Sequence, residues 1–376
     1  MPSPDVTLVY PREYARKKDS AFASVAAAAG RGRPLAAIGL SWRDHPETAA
    51  RTETAIARAK KQPAGLGLVA KRALIRAQYN WSRAHFSRHP DHVAMCWNGL
   101  TGSRWAFMQA ARDAGARRLY LELAPVPGRV TLDPEGVNAE GSVPWGRAFY
   151  DDWAAARAAR SGEGWRDLGR DLTARVSRRA DVGQGAAGDL SAPFVFVPLQ
   201  VPDDSQMRLF AGWAGGLAGF VAALGRTAAA LPAGWVLRVK EHPSAKQSMA
   251  GPLAAAQAAA PGRIVVDNAT DSFALVAAAR AVLTINSSMG LQAFFHDRPV
   301  IATGRAFWNQ PGLTCPAGSE AALAEIFGRA GTLGFDAGFR ARFMNWLDQV
   351  YYPRVEVTPD GAWQVDPAAV RRILGR

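Results

Sequence analysis

The sequence predicts an α/β fold in two lobes, each a parallel sheet flanked by helices. Short apolar runs alternate with helix-patterned stretches along most of the chain, as expected of strands joined by helical crossovers. At 376 residues the chain is long enough for two domains of ordinary size. The stretch Arg280 to Gly304, RAVLTINSSMGLQAFFHDRPVIATG, reads as a βαβ unit. It holds an apolar strand (Ala281 to Ile285), a polar turn (Asn286, Ser287, Ser288), a helix from about Met289 to Phe295 and a short strand (Pro299 to Ala302).

Taken in order, Val6 to Tyr10 is an apolar strand, Arg12 to Ala29 is helix-patterned and Pro34 to Leu40 is a second apolar run. A polar segment follows, then a helix from about Ala70 to Phe86 that His89-Pro90 ends, because proline cannot continue a helix and restricts its predecessor. Val93 to Trp97 is a strand, Arg104 to Ala114 a helix and Arg118 to Leu123 a strand carrying Glu122. Pro125 to Pro144 is rich in proline and glycine and reads as a loop, and Trp145 to Arg179 reads as helical and strongly basic. Ala180 to Pro193 is small, polar and glycine-rich, the best linker in the chain.

Beyond the linker the alternation is regular. Strands Phe194 to Leu199, Trp235 to Val239 and Ile264 to Val266 alternate with helical patterns near Met207 to Leu231, Pro252 to Ala259 and Asp271 to Ala279. Terminal helices are expected at Arg340 to Tyr351 and Pro367 to Leu374. The expected domains are therefore 1–185 and 192–335, with 340–376 crossing back to the first.

Composition narrows the setting. Hydrophobic residues make up 48% and charged residues 20%, ordinary for a globular chain, and all but seven of the 45 basic residues are Arg. The net charge of +13 points to an acidic partner or an anionic surface. Cys96 and Cys315 are the only cysteines, so a disulfide framework is excluded and a reducing compartment expected. No stretch approaches the roughly 20 apolar residues that cross a bilayer. The expected setting is cytoplasmic, soluble or peripheral, and the basic 145–179 run fits attraction to anionic lipid or polyanion. His85, His89, His92 and Cys96 have the spacing of a metal site. The proline and the strand separate these ligands, so no metal is expected.

Three polar segments follow strands that share one sheet edge, where open α/β sheets place ligands. They are Gln200, Asp203 and Asp204 in PLQVPDDSQ; Lys240, Glu241 and His242 in VKEHPS; and Asn286, Ser287, Ser288 and Gly290 in INSSMG. Hydroxyls, an imidazole and the unpaired N–H groups of a helix start suit a phosphate, and a carboxylate suits the carbon bearing the leaving group. The plain structural reading is that Ser287 or Asn286 caps a helix, Gly290 allows close packing, and Asp203 and Asp204 serve a turn and an N-cap.

VKEHPS and INSSMGLQAFFHDRPVIATGRAFWNQPGLT, preceded by FVPLQVPDDSQ and LAPVPGRVTLDPEGVN, resemble the capsule polysaccharide synthesis family, whose characterised members include bacterial β-Kdo transferases. The resemblance runs from about Val93 to Thr314. It implies a GT-B-like enzyme with two Rossmann-like lobes, an acceptor side first and a nucleotide-sugar (CMP) side second. The implied donor is CMP-β-Kdo, with no metal or other cofactor, and the acceptor is an anionic glycolipid or polysaccharide; nucleic acid is not expected. Carried over, His242, Ser287 and Ser288 hold the donor phosphate with Lys240 assisting, alongside Glu241, Asn286, Gly290 and Gln200. Asp204 is the nucleophile of a retaining mechanism, with Asp203 the second choice, and Glu122 the acid/base. Gln292 stands where the family pattern has an acid. The alternatives are another GT-B enzyme, sialyltransferase-like or UDP-sugar dependent, and a non-catalytic polysaccharide binding or export component.

Overall fold

The computed structural model describes residues 6–174, 176–186, 188–202 and 204–375. Its described residues group into two compact units, one within 1–124, 128–143 and 348–376 and the other within 125–127 and 144–347.

The first unit is built on β1 (Val6–Pro11), β2 (Gly30–Leu35), β3 (Val93–Trp97), β4 (Arg118–Leu123) and β5 (Val130–Asp133), in the order β2-β1-β3-β4-β5. The first four strands run parallel, with Leu8 opposite Val93 and Met95 opposite Leu119, and β5 closes the sheet antiparallel to β4. Because side chains alternate along a strand, Leu8, Met95, Trp97, Leu119 and Leu121 cover one face. There they pack with Phe22 and Val25 of the helix Arg16–Ala29 and with Val370 and Leu374 of the helix Pro367–Leu374. A smaller core lies among the helices Thr48–Ala57, Leu66–Arg88 and Gly102–Asp113, around Ile56, Ile75, Tyr79 and Trp105.

The second unit carries β6 (Phe194–Pro198), β7 (Val236–Lys240), β8 (Ile264–Val266), β9 (Ala281–Thr284), β10 (Val300–Ala302) and β11 (Cys315–Pro316), ordered β11-β10-β9-β6-β7-β8. Every pairing is parallel. Strands buried on both faces explain the continuous apolar runs FVFVP and AVLT. The fold is α/β with parallel sheets flanked by helices, as the alternation predicts.

Several elements differ from the sequence reading. The second strand is Gly30–Leu35 rather than 34–40, because an edge strand exposed along its length needs no apolar run. The expected loop 125–144 contains β5. The expected helix 145–179 is Arg147–Ala155 followed by 3-10 turns at Ala158–Ser161 and Glu163–Gly169. Glycines at 162, 164 and 169 break the α-helical pattern, and a Cβ at Gly169 would lie 2.6 Å from the Phe295 ring. Trp165 is buried with its ring 5.4 Å from that of Phe295, and Asn345 donates to the Arg160 and Gly162 carbonyls. These contacts group 144–179 with the second unit, and the described units divide at 143/144 and 347/348 rather than at the glycine-rich 180–193 stretch. The helix Ala337–Trp346 stays in the second unit. The hairpin Val355–Val357/Trp363–Val365 and the last helix belong to the first. Among the described residues no helix is long and apolar enough to cross a membrane.

Candidate active site

In the second sheet the chain starts at β6, builds outward through β7 and β8, then returns past β6 to lay down β9, β10 and β11. Loops leaving β6 and β9 therefore depart in opposite directions, which opens a crevice at the carboxyl ends of the strands. Gln200 follows β6 and Asn286 follows β9. Gln200 Nε2 donates to Asn286 Oδ1 at 2.9 Å, and the Asn286 backbone N–H donates to Gln200 Oε1 at 3.2 Å. Thr284 Oγ1 donates to the same Oε1 at 3.4 Å. Asn286 Nδ2 is directed at the carbonyls of Gln206 (3.1 Å) and Phe210 (3.2 Å). Both side chains are buried. These hydrogen bonds tie the two loops together.

Ser287 is the N-cap of the short helix Ser288–Gln292, its Oγ accepting from the Met289 N–H at 3.2 Å. Its own N–H donates to Thr284 Oγ1 at 3.2 Å. Ser287 and Ser288 are both half-buried at the crevice edge. The expected helix 289–295 is split, because the α-helical turn gives way to a 3-10 turn, Ala293–His296. A Cβ at Gly290 would lie 2.4 Å from the Trp308 ring, so the close approach of the indole requires glycine there. Gln292 donates to the Pro125 carbonyl at 2.8 Å.

After β7, His242 is half-buried and its Nδ1 accepts from the Ser244 N–H at 3.0 Å. In the neutral ring this places the proton on Nε2 and makes that nitrogen a donor. The His-Pro turn is supported from behind, since Pro243 O accepts from the Arg178 N–H at 2.9 Å and from Ser177 Oγ at 3.3 Å.

Lys240 and Glu241 do structural work. Lys240 is buried and its Nζ donates to the carbonyls of Gly183 (2.7 Å), Asn268 (3.0 Å) and Thr270 (2.7 Å), using all three of its protons. Burial pushes its ammonium down from the ordinary lysine range. Glu241 is buried and accepts from Arg179 (2.7 Å), the Met249 N–H (2.7 Å) and Asn268 Nδ2 (3.2 Å). Burial alone would raise its carboxyl, but Arg179 and the Met249 N–H outweigh it and hold the group below the usual carboxylate range. Both side chains hold neighbouring loops of the second unit in place. Lysine at a strand end gives no local sign of carbonyls 57 and 30 residues away.

Asp204 is exposed at the N-terminus of the helix Ser205–Phe210, where Oδ1 accepts from the Gln206 N–H at 3.0 Å and Ser205 Oγ at 3.3 Å. Asp203 lies outside the described residues. Glu122, in the first unit, ends β4 and pairs across to Thr131 of β5. Its Oε2 accepts from Asn98 Nδ2 at 2.7 Å and its Oε1 from the Leu123 N–H at 2.9 Å. Asn98 holds a left-handed φ of 60°, a strained conformation for a non-glycine residue at the carboxyl end of β3.

Sequence reasoning did not single out Thr284, Arg179, Asn268 or Trp308, which hold the site loops from behind. No spacing marks them. The three histidines do lie together: His85 Nε2 and His92 Nδ1 share a hydrogen bond of 3.1 Å, and the His89 and His92 rings stack at 4.6 Å. Among the described residues no group of three or more ligands is arranged to hold a metal ion.

Comparison with known proteins addresses the same region. The family model described as capsule polysaccharide biosynthesis protein matches residues 170–344, all within the second unit. The resemblance to the capsule polysaccharide synthesis family holds over that span. The LAPVPGRVTLDPEGVN motif, Leu123 to Asn138, lies outside it. The chain is 28% identical over 275 residues to Protein FixF of Sinorhizobium fredii (strain NBRC 101917 / NGR234), covering 73% of this chain and 61% of that protein. It thus spans less than two thirds of that relative's length. Among solved structures, Thermosulfurimonas dismutans KpsC, beta Kdo 2,7 transferase, superposes with a TM-score of 0.52 at 12% identity, covering 98% of this chain and 99% of that one. The KpsC beta Kdo 2,4 transferase of the same organism matches at 17% identity over 75% of this chain and 87% of that one, with a TM-score of 0.44. The likeness to the beta Kdo 2,7 transferase shows the fold alone, which is GT-B-like.

Proposed function

We propose that the chain is a retaining glycosyltransferase that moves Kdo, or a closely related sugar, from CMP-β-Kdo to a lipid-linked acceptor during capsular or surface polysaccharide synthesis. The observation that carries this reading is the convergence of the loops after β6, β7 and β9 on one sheet edge, with Ser287, Ser288 and His242 there and the family match spanning all three. In the reaction, the donor phosphate is held by the serine hydroxyls, the N–H groups of the helix start and His242 Nε2–H. These donors stabilise the charge that gathers on the CMP phosphate as the bond to the sugar breaks. An Asp204 carboxylate oxygen attacks the anomeric carbon as CMP leaves, giving a glycosyl-enzyme. An acceptor hydroxyl then displaces Asp204 while its proton passes to a carboxylate base.

Glu122 is our candidate for that base on chemical type. Asn98 Nδ2 and the Leu123 N–H donate to its carboxyl oxygens, and Asn98 orients it. No metal or other cofactor enters this scheme. The acceptor is an anionic glycolipid or polysaccharide, and the setting is the cytoplasmic face of the inner membrane.

Calorimetry with CMP and with UDP tests the donor class. Binding of CMP at least about tenfold tighter than UDP is the expected outcome. A UDP preference would redirect the reading to another GT-B enzyme. Binding of neither nucleotide, with polysaccharide binding that weakens steeply in salt, would redirect it to a non-catalytic component.

A further inference from the structure

The helix Leu66–Arg88 carries two apolar stripes, and one of them is bare. Its buried side, through Leu68, Ile75 and Tyr79, packs on the neighbouring helices of the first unit. A second set, Leu66, Val69, Ala70, Ala73 and Leu74, has the i, i+3, i+4, i+7, i+8 spacing of a single helical face. Leu66 is 87% exposed and Val69 58% exposed, although a leucine and a valine at these positions could be polar residues at no cost to the core.

The same face continues to Ala77 and Trp81, where residues 39–41 cross it. The Ser41 N–H donates to Ala77 O at 3.0 Å, and a Cβ at Gly39 would sit 2.4 Å from the Trp81 ring. This crossing segment presents Leu40 and Trp42 to solvent beside the stripe, Trp42 at 71%. Five large apolar side chains thus stand on one side of the first unit.

The surrounding charge is one-sided. The helix contains Lys71, Arg72, Arg76, Arg83 and Arg88 and no acidic residue. Lys60 and Lys61 are exposed just before it, and Arg43 is exposed next to Trp42. Three acidic groups, Glu53, Asp44 and Glu47, are ion-paired with Arg72, Arg76 and Arg83 of the helix. An apolar ridge with an interfacial tryptophan and a basic rim complements a surface that is apolar beneath and anionic at its edge.

We propose that this face docks the chain on an anionic lipid bilayer, with Leu66, Val69 and Trp42 entering the interface and Lys60, Lys61 and Arg43 meeting the headgroups. This deepens the membrane contact of the proposed function and moves it away from the basic 145–179 segment, where Arg166 and Arg170 are already ion-paired. It is independent of the donor assignment.

The test is co-sedimentation of the full chain with phosphatidylcholine vesicles, with and without about one third phosphatidylglycerol, at low and physiological salt. Binding to the anionic vesicles is expected, weakened but not abolished by salt. The double variant Leu66→Glu/Val69→Glu should lose at least about tenfold in partitioning, and Lys60→Glu/Lys61→Glu should lose most at low salt. Thermal melts and CMP affinity should match the parent for both. Wild-type partitioning by Leu66→Glu/Val69→Glu would overturn the proposal. So would failure of the folded parent to bind, or a solution dimer that this variant dissolves, which would assign the face to self-association. Lost vesicle binding with intact CMP binding defeats this inference alone, whereas intact vesicle binding without nucleotide binding defeats the glycosyltransferase reading alone.

Discussion

Gln200 and Asn286, 86 residues apart in the chain, hold each other through Gln200 Nε2 to Asn286 Oδ1 at 2.9 Å and Asn286 N to Gln200 Oε1 at 3.2 Å. This pair fixes the loop after β6, which carries Asp204, against the loop after β9, which carries Ser287 and Ser288. Asn286→Ala removes the partner of a buried amide and of two carbonyls. It should cost about 2–4 kcal/mol in chemical denaturation and also weaken CMP binding, because the two loops lose their mutual register. Reduced stability with unchanged affinity would separate the pair from the site.

Ser287 and Ser288 are distinguished by what their hydroxyls do. Ser287→Ala deletes an N-cap and should lower stability by about 1 kcal/mol. Ser288 makes no cap, so Ser288→Ala should leave the melt in place. Both substitutions should raise the donor's dissociation constant in calorimetry. An effect on stability alone would reduce the pair to capping.

Lys240 gives the opposite expectation. Lys240→Met leaves three carbonyls without their donor and should destabilise the second unit by roughly 2–4 kcal/mol, read by urea denaturation. The affinity of the folded fraction for CMP should change less than about threefold. A large loss of affinity without a loss of stability would return Lys240 to the phosphate.

These contrasts show what was legible in the chain. Strand and helix alternation located the buried strands β1, β3, β4, β6, β7 and β9, because burial on both faces leaves an unmistakable apolar run such as FVFVP. It missed β5, four residues inside a proline- and glycine-rich stretch, and misplaced β2, an exposed edge strand whose stability comes from backbone pairing with β1. Ser319 caps the helix Glu320–Gly328, the start signal a serine gives just before a helical pattern. At the site, residue type suggested chemistry for Lys240, Glu241 and Asn286. Their neighbours come from residues 179, 183, 200, 206, 210, 268 and 270, tertiary partners that no local pattern shows.

The histidine cluster predicts a pH dependence. Burial, with the charge of Arg33 and the neighbouring His92 and His89, pushes the His85 imidazole down to about 4. Below its unfolded value near 6.5 the unfolded chain takes up the proton first, so stability is complete above that pH and falls until about pH 4. Urea denaturation should therefore show a loss of about 2 kcal/mol between pH 7.5 and pH 5. His85→Gln should remove most of this slope; an unchanged slope would place it elsewhere.

The central claim is that Asp204 is glycosylated by a CMP-linked sugar acid. Incubation with CMP-β-Kdo without acceptor, followed by intact-mass measurement of the protein, reads it directly. The account predicts a mass increase of one Kdo residue with release of CMP, and neither in Asp204→Ala, which should still bind CMP. An adduct of equal yield in Asp204→Ala, or no adduct and no CMP release from the folded parent, would contradict it.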